Sequence, residues 1–158
     1  MFCEEVESMY KIDIVSSHED YLGMLDLFSD VFLDPSSYSK NRPSREYIQN
    51  LLSDKNFIAL VAKSDSGKVI GALASYVLRK FEQERSEIFI YDLGVAKDFR
   101  RQKIASNLIE KLKMIAKDLG AYVIFVQADK DIEDLPAIAL YKKLGTLEDV
   151  FHFDIDVI

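Results

Sequence analysis

Apolar and polar residues alternate from Tyr10 to Val15 and predict a short strand. The period then changes. Tyr21, Leu25, Phe28 and Phe32 recur at helical spacing and make a core-facing aromatic stripe. Ser16, with Glu19 three residues on, has the order of a capping box at the start of that helix. Asp34, Pro35, Ser36 and Ser37 break it. A second short helix follows Pro43 and Ser44, with Tyr47, Ile48 and Leu51 turned inward. Residues 57–62, 69–78 and 86–95 read as three strands, the first two joined by the hairpin-like turn Ser64, Asp65, Ser66, Gly67. The middle of the chain is therefore an antiparallel meander.

The longest helix is predicted over residues 103–119. Ile104, Ala105, Leu108, Ile109, Leu112, Ile115, Ala116 and Leu119 form one broad stripe at the helical period. Gly120 stands where a helix C-cap belongs. Residues 121–128 are almost continuously apolar, as expected of a strand covered on both faces. Strand, helix and strand in this order predict a parallel pair joined by a crossover. A last helix begins near Pro136, at a favoured first-turn position, and ends near Gly145. Residues 148–158 alternate and predict a final strand. The fold class is α/β: a mixed, mostly antiparallel twisted sheet with helices on both faces. Repeats, low-complexity stretches and linkers are absent, so residues 1–158 read as a single domain.

Composition narrows the functional classes. Hydrophobic residues make up 49% and charged residues 30% of 158, which excludes a disordered or fibrous chain. No apolar run reaches the roughly 18 residues that a membrane-spanning helix needs. Met1, Phe2, Cys3, Glu4 and Glu5 lack the basic-then-apolar order of a signal peptide. The single cysteine, Cys3, cannot form an internal disulfide, and nothing around it would activate a thiol; a cytoplasmic setting is expected. The net charge of −7 repels nucleic acid and favours cationic partners. Neither a nucleic-acid nor a membrane partner is expected, and a homodimer is compatible with the sequence. The two histidines are expected to be exposed (His18) or packed in a strand (His152), and they give no metal-site spacing, so no metal is expected.

The chemistry concentrates between Asp92 and Ala105. A strand ends, a loop carries Arg100 and Arg101, and a long helix begins. A helix N-terminus offers unpaired N–H groups and partial positive charge, which suits a pyrophosphate. Aspartate is disfavoured inside strands, so Asp92, between Tyr91 and Leu93, calls for a reason.

This junction resembles that of the GNAT N-acetyltransferases, which carry Arg or Gln, two residues, Gly, one residue, then Gly or Ala. Arg100 and Ala105 fit; Lys103 stands where the pattern has glycine. Glycine permits unusual φ and close backbone approach; lysine keeps its N–H and adds an ammonium. Further on, Asp134, Ala137, Tyr141 and Gly145 resemble the family's Asn, Ala, Tyr and Gly at the same spacing, with Asp for Asn. The resemblance implies acetyl-CoA as cosubstrate and no metal. It implies coenzyme contacts from Leu93, Gly94 and Val95 to the pantetheine arm and from Arg100, Arg101, Gln102, Lys103, Ile104, Ala105 and Ser106 around the pyrophosphate. The coenzyme is expected to enter where the strand at 86–95 and the strand at 121–128 diverge. Tyr141 is implied as the acid that protonates the leaving thiolate, a role open to a phenol with pKa of about 10.

A narrower resemblance covers most of the chain beyond about Tyr21. Lys80-Phe81-Glu82-Gln83, Arg85-Ser86-Glu87-Ile88, Tyr91-Asp92-Leu93, Leu119-Gly120-Ala121-Tyr122-Val123-Ile124, Val126-Gln127-Ala128-Asp129 and His152-Phe153-Asp154-Ile155-Asp156 are similar to the gentamicin 3-N-acetyltransferases. Residues 130–135 differ from that group. Aminoglycosides are polycations, so a protein that binds them needs converging carboxylates. Asp92, Asp129, Asp134, Asp154 and Asp156 lie at or near strand ends or the last helix start and are the candidates. A protonated amine cannot attack a thioester, and Asp92 is the candidate to take the proton, directly or through water. Two rival readings stay open: acetylation of another amine, such as a polyamine or a peptide N-terminus, and a coenzyme-binding sensor without catalysis.

Overall fold

The computed structural model describes residues 9–158; Cys3 lies outside them. The chain divides into two compact units, Met1–Gln127 and Ala128–Ile158. In the first, five strands lie side by side in sequence order: β1 (Tyr10–Ile14), β2 (Phe57–Ser64), β3 (Val69–Arg79), β4 (Ser86–Val95) and β5 (Ala121–Val126). The pairs β1–β2, β2–β3 and β3–β4 are antiparallel, and β4–β5 is parallel. The mixed, mostly antiparallel sheet predicted from the alternation is observed, with five of the six predicted strands.

Alternation along the strands supplies two apolar faces. Ala59, Val61, Ala72 and Ala74 pack with Tyr21, Met24, Leu27, Phe28 and Ile48 from α1 (His18–Val31) and α2 (Arg45–Ser53). The intervening Leu60 and Leu73 are fully buried, and Gly71 faces Ile104 and Leu108 of α3 (Ile104–Asp118) on the other side. Full burial of such a leucine is worth about 1.5–3 kcal/mol. Gly120, at φ +72, ends α3 in the left-handed conformation that suits glycine.

Details depart from expectation where tertiary contacts decide. Ser17, not Ser16, caps α1, and its hydroxyl accepts from the Asp20 N–H. Tyr47 points outward, 60% exposed, so α2 buries only Ile48 fully. The Pro35 break continues into a π-helical turn, Ser36–Lys40. In β5, Tyr122 and Val123 remain partly exposed, so that strand is not covered throughout. His18 is half-buried rather than exposed.

The second unit contains a 3₁₀ turn, Ile132–Asp134, and α4, Leu135–Leu144, with Pro136 in its first turn. The strand predicted over residues 148–158 is not formed: among the described residues this stretch makes no sheet ladder. Alternation gives a segment two faces, but a strand needs a neighbour to bond with.

Candidate functional site

The site in the first unit begins with a fault in the sheet. Ser75 pairs with Ile90 and Ala74 with Asp92, so Tyr91 is an extra residue in β4. A bulge of this kind re-aims the side chains that follow it. Ile88 and Ile90 are buried; by strict alternation Asp92 would follow them onto the same face. The bulge turns it instead to the face of α1, beside the partner Ala74 that packs there. The same bulge explains an aspartate inside a strand.

Past the bulge the sheet opens. The β4–β5 ladder runs from Ser86 opposite Ala121 to Ile90 opposite Val126, where β5 ends. Leu93, Gly94 and Val95 continue along β3 only, opposite Leu73, Ala72 and Gly71. Among the described residues no strand lies beside their other backbone edge, as the predicted divergence of β4 from β5 requires.

Asp92 is half-buried, and its carboxylate Oδ2 accepts a hydrogen bond of 2.8 Å from the Tyr38 hydroxyl. Burial holds its pKa above the ordinary value, while the Tyr38 bond acts in the opposite sense. Burial, then the bond to Asp92, pushes the Tyr38 phenol far up. Tyr38 comes from the π-helical turn, and its ring leans on Phe28 and Phe32, each with centroids 5.7 Å away. On the same side an aromatic chain runs through Phe57, Tyr76, Tyr91, Phe89 and Phe125 at centroid spacings of 4.8–5.9 Å. Tyr38 was not legible as a site residue in sequence, because no periodic pattern surrounds it.

The loop after β4 forms a 3₁₀ turn, Lys97–Phe99, tied back by the Ala96 N–H to Ile70 O at 2.8 Å. Arg101 and Lys103 then adopt positive φ, +64 and +62. Lys103, standing at the glycine position of the family pattern, is left-handed as glycine would be. It occupies the N-cap of α3, and its own side chain makes no capping hydrogen bond to the N–H groups there. Arg100, Arg101, Gln102 and Lys103 are exposed, with Ile104 anchored in the core and Ala105 and Ser106 half-buried. Tyr10 Oη reaches the Gln102 carbonyl at 3.3 Å and steadies the loop. N–H groups that Lys103 leaves uncapped, three exposed cations and a pinned loop fit a pyrophosphate.

In the second unit, Tyr141 is half-buried on α4. Burial first, and the Asp134 charge second, push its phenol up to about 12. Asp134 precedes α4, and its pKa is raised by burial and by Asp129, Asp131 and Glu133. Asp129 and Asp134 therefore share one electrostatic neighbourhood. Asp154 and Asp156 lie exposed on the terminal stretch, where Asp154 Oδ1 meets His152 Nε2 at 2.9 Å. His152 is exposed rather than packed in a strand. Among the described residues no group of three or more His, Cys, Asp or Glu is placed to hold a metal ion, and no helix is long and apolar enough to cross a membrane.

Comparison with known proteins matches residues 22–146 to the acetyltransferase (GNAT) family. An aminoglycoside acetyltransferase from an uncultured soil metagenomic sample is 52% identical, covering 94% of this chain and 99% of its own, with a TM-score of 0.92. A second one from such a sample, solved in complexes with trehalose and with sisomicin, is 30% identical, covering 98% of this chain and 100% of its own, at a TM-score of 0.86. The aminoglycoside 6′-N-acetyltransferase of Acinetobacter baumannii, at 19% identity over 93% of this chain and 99% of its own and a TM-score of 0.69, shares the fold.

Proposed function

Because the chain belongs to the GNAT acetyltransferase family, whose members use acetyl-CoA, we propose that it transfers acetyl to the 3-amino group of gentamicin-like aminoglycosides and so confers resistance to them. The observation that carries the substrate class is the 52% identity, over 94% of the chain, to an aminoglycoside acetyltransferase. The family match crosses from the first unit into the second, which supports one acetyltransferase domain over residues 1–158. The lone cysteine supports a reducing, cytoplasmic setting.

Acetyl-CoA supplies a thioester: the amine nitrogen forms an amide with the acetyl carbon as the carbon–sulfur bond breaks, and the coenzyme leaves as its thiol. Leu93, Gly94 and Val95 would hold the pantetheine arm along the open edge of β4. Arg100, Arg101, Gln102, Lys103, Ile104, Ala105 and Ser106 would cradle the pyrophosphate. Asp92 accepts the proton of the substrate ammonium, directly or through water. Tyr141, kept protonated by burial, is the proton donor to the departing sulfur. Asp129, Asp134, Asp154 and Asp156 would meet the drug's ammonium groups along with Asp92.

The test is thiol release from acetyl-CoA with gentamicin, spermidine and a peptide with a free N-terminus, followed by NMR of the product. Release with gentamicin alone, acetylated at the 3-amine, is expected. Acetylation at the 6′-amine would sink the regiochemical assignment, and turnover of spermidine or the peptide alone would sink the aminoglycoside one. Coenzyme binding with no turnover of any amine would identify a sensor.

A further inference from the structure

We propose that Tyr38 is the positioning residue for Asp92: its hydroxyl engages Oδ2 and leaves Oδ1 as the oxygen that receives the proton of the acceptor amine. This rests on the reading of Asp92 as proton acceptor. A carboxylate on a strand rotates about two side-chain bonds, and one fixed oxygen removes most of that freedom. Among the described residues Tyr38 is the side chain that bonds it.

The geometry is built rather than incidental. The Tyr38 ring packs against Phe28 and Phe32, which stack on each other at 5.4 Å. The π-helical turn that carries it is held at several points. The Ser37 N–H bonds Asp34 Oδ1 at 3.1 Å, the Ser39 hydroxyl bonds the Pro35 carbonyl at 3.1 Å, and the Ser29 and Ser39 hydroxyls meet at 3.1 Å. Single π-turns are rare and recur at functional sites. Here the turn aims one phenol at the one aspartate that the β4 bulge has turned to this side.

Among the described residues, Tyr38 from the π-turn and Tyr76 from β3 interact with the Asp92 charge, while Asp34 and Tyr91 act on Tyr38. At Gly94 of β4 the nearest side chains of α1 are the apolar Phe28 and Val31. Tyr38 is therefore the neighbour that stabilises the ionised carboxylate by a hydrogen bond, which opposes the rise caused by burial.

Tyr38→Phe keeps the ring and removes only the hydroxyl. Turnover should fall roughly ten- to a hundredfold, as for loss of a hydrogen bond to a charged group, with the Michaelis constant for acetyl-CoA unchanged. The acid limb of the pH–rate profile should move to higher pH. In the free protein, the ¹³C-NMR titration of the Asp92 carboxyl should move the same way; that readout depends on no substrate. In an Asp92→Asn background, Tyr38→Phe should have no further effect on turnover. A merely structural tyrosine would lower stability without moving either pH readout. If Asp92→Asn is impaired while Tyr38→Phe matches the unsubstituted protein in rate and acid limb, the positioning role is overturned and the reading of Asp92 stands. If Asp92→Asn turns over normally, the reading of Asp92 fails and the positioning role with it.

Discussion

Asp92 sits where function and stability oppose each other. Its pKa is raised because burial penalises the charge more than the Tyr38 bond relieves it. A raised carboxyl favours folding in its protonated form, so its contribution is full below the unfolded pKa of about 3.9. It is lost as pH rises through the raised folded value. Asp92→Asn should therefore be more stable than the unsubstituted protein at pH 7, by melting temperature, with the gap closing toward pH 3. It should also turn over about 10²–10⁴-fold more slowly. A variant less stable at pH 7 would show that the carboxylate is net stabilising in place. Tyr141 gives the complementary case. Its phenol, pushed up to about 12, adds stability that is fully present below the unfolded value of about 10 and is lost between there and about pH 12. Tyr141→Phe should remove that alkaline loss. It should lower turnover about 10²–10⁴-fold with little change in acetyl-CoA binding; unchanged turnover would leave water as the proton donor.

At the scale of elements, the strand-to-helix junction carries strain at a legible place. Lys103 holds φ +62, a conformation that costs a side-chain-bearing residue about 1–2 kcal/mol. Lys103→Gly should relieve that cost, less the greater freedom glycine has when unfolded, and raise stability by up to about 1 kcal/mol in denaturant melts. Tighter acetyl-CoA binding in the same variant would make the lysine merely tolerated; weaker binding would give its ammonium a share in holding phosphate. Gly71 protects the junction from beneath: a Cβ there would stand 2.5 Å from Ile104 Cγ2. Gly71→Ala should push the first turn of α3 outward, cost about 1–3 kcal/mol and raise the Michaelis constant for acetyl-CoA. A variant with native stability and an unchanged constant would show that the turn adjusts freely. The junction could be read from sequence because periodicity changes sharply there: β4 spans residues 86–95 as predicted, and α3 starts one residue from its predicted start. Periodicity says which face of an element is apolar, not what lies against it. Hence Tyr47 was expected inward, residues 148–158 were expected to find a ladder, and the bulge at Tyr91 with its Tyr38 contact was invisible, since both depend on register between distant segments.

At the scale of the whole molecule, the charge of −7 gives a cation a favourable approach, but net charge alone does not make a binding site. In the acid-rich stretch of Asp129, Asp131, Glu133 and Asp134, the pKa of Asp134 is raised by burial first and by repulsion from the other three carboxylates second. A bound polycation would relieve the repulsive part, so binding should lower that pKa and release protons at mildly acidic pH. Asp154 and Asp156 are exposed, and their attraction for a drug would be screened strongly. If these carboxylates and Asp92 act together on an aminoglycoside, affinity should fall steeply between about 0.01 M salt, where the Debye length is about 30 Å, and about 1 M, where it is about 3 Å. Asn at Asp129 or Asp154 should weaken the drug by no more than about fivefold, the range of exposed pairs, and leave acetyl-CoA affinity unmoved. Asp92→Asn should weaken the drug too and, beyond that, reduce turnover at saturating drug, because a half-buried proton acceptor acts on the reaction as well as on binding. Calorimetry across the salt series separates these effects. Drug binding that ignores salt, with all three Asn variants at native affinity, would remove the electrostatic account of substrate choice and leave shape and the aromatic face around Tyr76 and Tyr91 to explain it.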